Sequence, residues 1–112
     1  MVMYDSDEEI VLCAASVYTQ SYYFNEDFSA LPEQVKDELR IMCVLFTEDI
    51  GGIIQLVFDE EGNLSIRTDA EEGDLLYDEI GSVLKVKQLQ RQQRELFEEL
   101  ETYFKVFFLG EE

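Results

Sequence analysis

A chain of 112 residues with 46% apolar content, eight Phe and six Tyr has the length of one domain and enough apolar mass for a core, which excludes a disordered chain. Its 26 acids against 8 bases give a net charge of −18, a surface that repels phosphates and anionic lipid and argues against nucleic-acid or membrane binding. With no His and no Trp, the commonest acid–base residue and metal ligand is missing, which removes most hydrolase, transferase and metalloenzyme chemistries.

Residues 1–9 read as a flexible acidic lead-in to a single α+β domain over 10–112. They lack the basic flank and apolar stretch of a signal peptide, and no apolar run reaches membrane-spanning length, so the expected setting is cytoplasmic. Ile10 to Val17 is β-compatible, and Tyr22-Tyr23-Phe24 follows after a four-residue turn, which predicts a hairpin. The small residues Ala14, Ala15 and Ser16 leave room for another element to pass close over the first strand.

Pro32 and Glu33 open a predicted helix over 32–50, with Val35, Leu39, Met42, Cys43 and Phe46 at helical spacing. Its run from Ile41 to Phe46 is apolar on all sides and predicts a deeply buried helix, which Gly51-Gly52 terminates. Ile53 to Phe58 and Leu64 to Thr68 alternate as a second hairpin around Gly62-Asn63, with Ser65, Arg67 and Asp69 facing water. The fold class is therefore α+β, an antiparallel sheet of about four strands from two hairpins, with a central helix and a long, broken C-terminal helix.

That last segment, from about Asp74 to Leu109, is helical in pattern, yet one helix of 35 residues would span ~52 Å. Its apolar residues also fall on two sides at 100° per residue: Leu76, Ile80, Val83 and Leu84 on one, and Val86, Leu89, Leu96, Phe97, Leu100, Phe104 and Phe107 on the other. A break at Gly81-Ser82, or a second surface for the later part, resolves the conflict.

Candidate chemistry is sparse. The acids Asp69, Glu71, Glu72, Asp74, Asp78 and Glu79 surround Gly73, as a hard divalent cation would require, although their spacing does not match a calcium loop and a solvated loop leading into a helix explains them more simply. Cys13 and Cys43 lie in apolar runs with no motif and read as buried, reduced thiols. Tyr18, Tyr22, Tyr23, Phe24 and Phe28 form an aromatic group that could wall a core or a pocket. Residues 81–94 hold Lys85, Lys87, Arg91 and Arg94 and no acid, the one basic patch of the chain, with Arg91 and Arg94 four residues ahead of Glu95 and Glu98. Leu89, Leu96, Leu100, Tyr103 and Phe107 step near coiled-coil spacing, with Gln93 at the intervening position, which predicts a homodimer seam.

The stretches YYFNEDFSALPEQVKDELRIMCVLFTEDIGGIIQLVFDEEGNL and GDLLYDEIGSVLKVKQLQ, with the later ELFEELETYFKVFFLG, carry a resemblance. The chain resembles a domain-of-unknown-function family of short acidic proteins from anaerobic clostridial-type Gram-positive bacteria, from about Glu9 to Gly110. The resemblance implies a bacterial cytoplasmic protein and assigns no activity to any residue. In size and acidity, and in element order without their first helix, the chain is also similar to type III secretion chaperones, an architectural likeness that implies no function.

Two functions follow as expectations. The first is a non-enzymatic, chaperone-like acidic binding or adaptor module that dimerises and holds a basic or partly unfolded protein partner. The second is a divalent-cation-binding regulator or enzyme built on the acids of 69–79. No cofactor is implied by any motif.

Overall fold

Alternating apolar and polar residues build one antiparallel sheet in the computed structural model, which describes residues 9–111. The expected lead-in over 1–9 lies outside the described residues except for Glu9, whose carboxylate pairs with Arg67. Strands β1 (Ile10–Ser16), β2 (Ser21–Phe24), β3 (Ile53–Phe58) and β4 (Leu64–Asp69) are arranged in the order β2-β1-β3-β4, every neighbour antiparallel. The chain makes both expected hairpins, β1–β2 and β3–β4, and joins them through β1 and β3. A register shift between Val11 and Cys13 turns Leu12 and Cys13 both inward, so β1 buries more than simple alternation allows.

Three helices complete the fold: α1 (Glu33–Ile50), α2 (Glu79–Gln92) and α3 (Arg94–Phe107). Asn25 prepares the entry to α1. Its buried side chain donates to the Val11 carbonyl at 2.9 Å and accepts from Asp27 N–H at 2.9 Å, fixing a 3₁₀ turn over Glu26–Phe28 that drops Phe28 into the core. Cys43 of α1 lies over β1, its Sγ 3.9 Å from that of Cys13, both thiols buried and free. The close approach that the small β1 residues suggested is made by α1.

The Gly51-Gly52 stop ends α1 as its sequence demands. Gly51 has φ 92° and closes the helix by donating to the Thr47 carbonyl. Gly52 has φ 68°, and a Cβ there would lie 2.4 Å from the Asp69 carbonyl oxygen, so only glycine fits where the chain turns into β3 against β4.

The C-terminal segment breaks at Gln93, whose φ −108° and ψ 21° leave the helical range, and not at Gly81-Ser82, which falls in the first turn of α2. Ser82 sits there for a reason: its hydroxyl donates to Thr68 on β4 and accepts from the Tyr77 hydroxyl, so it anchors α2 to the sheet. Beyond Gln93, α3 folds back onto its own sheet. Phe104 stacks on Phe58 with ring centres 4.3 Å apart and reaches Phe108 at 5.0 Å, while Phe28 meets Phe108 at 4.7 Å. Glu101 adds a polar tie by accepting from Leu64 N–H at 2.7 Å. Among the described residues no helix is long and apolar enough to cross a membrane.

Candidate binding surface

The structure takes the expected dimer seam into the core. Leu89, Leu96 and Leu100 are buried within one chain, Tyr103 packs beside Phe28, and only Phe107 at the end of the stripe stands exposed. The physical reason is the break at Gln93, itself half-buried, which lets the inward side of α2 continue into the inward side of α3 along the same sheet. This correction frees a different surface.

The other apolar set of that segment has no cover among the described residues. Ile80, Val83 and Leu84 of α2 are 76%, 56% and 63% exposed, and Leu75 and Leu76 just ahead of the helix are almost fully exposed. The conflict between two apolar sides is thus resolved by burying one and exposing the other. The run 41–46 on α1 is likewise not buried on all sides. Leu39, Met42, Cys43 and Phe46 face the sheet, whereas Ile41 and Leu45, one turn apart on the outer side, are 57% and 52% exposed. Single exposed apolar residues need no explanation, but aliphatic side chains stacked a turn apart on two neighbouring helices form a surface.

Charge frames these residues. On α1, Asp37 and Glu38 precede Ile41 by one turn, and Glu48 and Asp49 follow Leu45 by one turn, all exposed. A groove of about 250 Å³ separates α1 from α2, lined by Ile41, Met42, Leu45, Lys85, Leu89 and Gln92. Lys85 spans it, with its ammonium 3.9 Å from the Asp49 carboxylate. The remaining members of the basic patch, Lys87, Arg91 and Arg94, point to solvent and make no ion pair among the described residues. The expected Arg91–Glu95 pairing fails because Gln93 places the two residues on different helices.

Three of the six acidic candidates for a cation, Asp69, Asp74 and Asp78, bond the protein's own groups. Asp69 accepts from Ala70 N–H, and Asp78 caps α2 by accepting from Gly81 N–H at 2.8 Å. Asp74 accepts from the Tyr18 hydroxyl and from Leu76 N–H, and these bonds, the Tyr18 one foremost, hold its carboxyl below the usual range. The same Tyr18 hydroxyl accepts from Glu71 N–H, so one side chain clamps the loop between β4 and α2. Glu71, Glu72 and Glu79 are exposed, and among the described residues no three acids converge as metal ligands do.

The aromatic group is dispersed. Phe28 is core, Tyr23 is exposed, Tyr18 holds the loop, and Tyr22 turns its hydroxyl toward the two thiols. Burial foremost, then the Cys13 and Cys43 thiols, raises the Tyr22 pKa, and the hydroxyl has no partner of normal hydrogen-bond geometry among the described residues. The Cys43 thiol is raised as well, by the hydrogen bond with Cys13 and then by burial, which keeps it un-ionised and unreactive.

The profile of the Family of unknown function (DUF6145) matches residues 9–112. The chain belongs to that family. No curated protein matches this family member, and no solved structure does. Sequence reasoning missed Ile41 and Leu45 as surface residues. The signal that could have found them was the pairs of acids one turn before Ile41 and one turn after Leu45.

Proposed function

We propose that the protein is a non-enzymatic binding module that docks a basic protein segment on the outer face of α1. The observation that carries this reading is the pair Ile41 and Leu45, half-exposed and bracketed along the helix by Asp37, Glu38, Glu48 and Asp49. An apolar centre with a mainly acidic rim, interrupted by the exposed Arg40, fits an amphipathic segment whose apolar face enters beside Leu45 and whose Lys or Arg residues meet Asp37, Glu38 and Glu48. The net charge of −18 draws such a partner from a distance and speeds encounter. The reading includes a cytoplasmic setting, supported by two adjacent buried thiols of a kind that a reducing compartment keeps free.

The test is affinity capture from host lysate with the wild type and with an Ile41→Glu/Leu45→Glu variant, both checked for equal melting temperature. The expected result is a basic partner bound by the wild type and lost by the variant. The same partners on both proteins would reject α1 as the docking face.

A further inference from the structure

We infer that the outer face of α2 pairs with a second copy of this chain, the two helices running antiparallel about Leu84. This concerns a different helix from the α1 face, so each reading can fail without the other. The outer side of α2 is divided along its length. Its first half is apolar, with Ile80, Val83 and Leu84 exposed, and its second half is basic, with Lys87 and Arg91 exposed. Ahead of the helix the sign reverses: Glu79, Glu72 and Glu71 are exposed acids beside the exposed Leu75 and Leu76. Acid, apolar turn and base therefore follow one another along the chain, with Glu79 at the flank of the helix face that carries Ile80, Leu84, Lys87 and Arg91.

Such an order is complementary to itself when turned end for end. At 1.5 Å per residue, Arg91 lies ~10.5 Å beyond Leu84 along the axis, and Glu79 ~7.5 Å before it. A two-fold axis at Leu84 stacks Val83 and Leu84 on their counterparts. It also sets each copy's Lys87 and Arg91 against the other copy's Glu79 and acidic loop. A parallel arrangement would instead oppose base to base and acid to acid. A basic partner, which suits the rest of this surface, is repelled here, because residues 81–94 hold four bases and no acid. The overall repulsion between two chains of −18 acts over longer distances and is damped at physiological salt, where screening sets in within ~8 Å.

Sedimentation equilibrium at physiological salt and tens of micromolar protein reads the mass directly. The wild type is expected at about twice 13.1 kDa and Leu84→Glu at 13.1 kDa, with unchanged circular dichroism. Two charge variants, Lys87→Glu/Arg91→Glu and Glu72→Lys/Glu79→Lys, alter exposed side chains that make no hydrogen bond or ion pair among the described residues. Each alone opposes like charges and is expected as a monomer. Mixed in equal amounts, they restore opposite charges at both ends and are expected to form a heterodimer. A monomeric wild type would give this face to a different partner and overturn the inference. A dimer that survives both charge variants would place the second copy elsewhere, and a mixture that stays monomeric would overturn the antiparallel pairing.

Discussion

Replacing Phe104 by Ala tests whether α3 is held by its aromatic side against the sheet. Phe104 is fully buried, its ring 4.3 Å from Phe58, 5.0 Å from Phe108 and 6.3 Å from Phe28. Truncating a buried Phe costs ~3–5 kcal/mol through lost transfer and the cavity left behind. Three ring partners, each pair worth ~0.5–1.5 kcal/mol beyond burial, put this site near the upper end. A domain of this length has ~6–17 kcal/mol of stability in all, so the variant should remain folded but lose a large share. Urea denaturation followed by circular dichroism should show a much lower midpoint at unchanged slope, because the surface exposed on unfolding is little altered. Phe107→Ala is the internal control: that ring is 70% exposed and touches Tyr103 at 4.8 Å, so its loss should cost under ~1 kcal/mol. A Phe104→Ala cost below ~1.5 kcal/mol, or one smaller than that of Phe107→Ala, would refute the docking of α3 on its own sheet.

Three further outcomes follow from particular contacts. Tyr22→Phe removes a buried hydroxyl with no hydrogen-bond partner of normal geometry among the described residues and should raise stability by ~1 kcal/mol; a clear loss in the same urea titration would mean that the hydroxyl is satisfied. Gly52→Ala should lower it by ~2 kcal/mol or more, because the new Cβ meets the Asp69 carbonyl at a backbone angle that alanine resists; a neutral melting curve would refute that geometry. Acid should act in two stages. Between pH 7 and ~5, early protonation relieves repulsion in a chain of −18 and melting temperature should hold or rise. Asp59 is opposed by burial, yet hydrogen bonds from Asn63, Glu61 and Gly62 outweigh it and hold its pKa below the ordinary 3.8, as the Tyr18 hydroxyl does for Asp74. Groups depressed in the fold contribute stability that is complete above their unfolded value and is lost as pH falls through the folded one, so melting temperature should drop below pH ~4. In Asp59→Ala that drop should be shallower, and an identical slope would show that Asp59 contributes nothing to it.

Much of the sheet was legible in the sequence because its signals are local. Alternation over 53–58 and 64–68, and Gly62-Asn63 between them, state a hairpin without help from the rest of the chain. The stop at Gly51-Gly52 is equally local. The boundary at Gln93 was not legible, since glutamine favours neither break nor continuation, and the contacts that hold the two helices, Ser82 with Thr68 and Phe104 with Phe58, are distant in sequence. The seam expected at Leu89, Leu96 and Leu100 had the right periodicity and the wrong partner: a stripe at coiled-coil spacing fits a second helix or the chain's own sheet equally well. For the surface, the apolar run at 41–46 outweighed the flanking acids Asp37, Glu38, Glu48 and Asp49. Those acids in fact marked one side of the helix as open to water. The loop acids of 69–78 carried no hint of their roles, because the Tyr18 clamp comes from 56 residues away in sequence.

In the arrangement proposed, α2 meets another molecule on its outer face while α3 belongs to the core. Amide hydrogen exchange across a dilution series, resolved by peptide, tests both halves at once. Dilution from tens of micromolar to well below one should speed exchange in 79–92, with 94–107 remaining slow and independent of concentration. Exchange that is concentration-independent in 79–92, or that changes instead in 94–107, would contradict the assignment of the two helices.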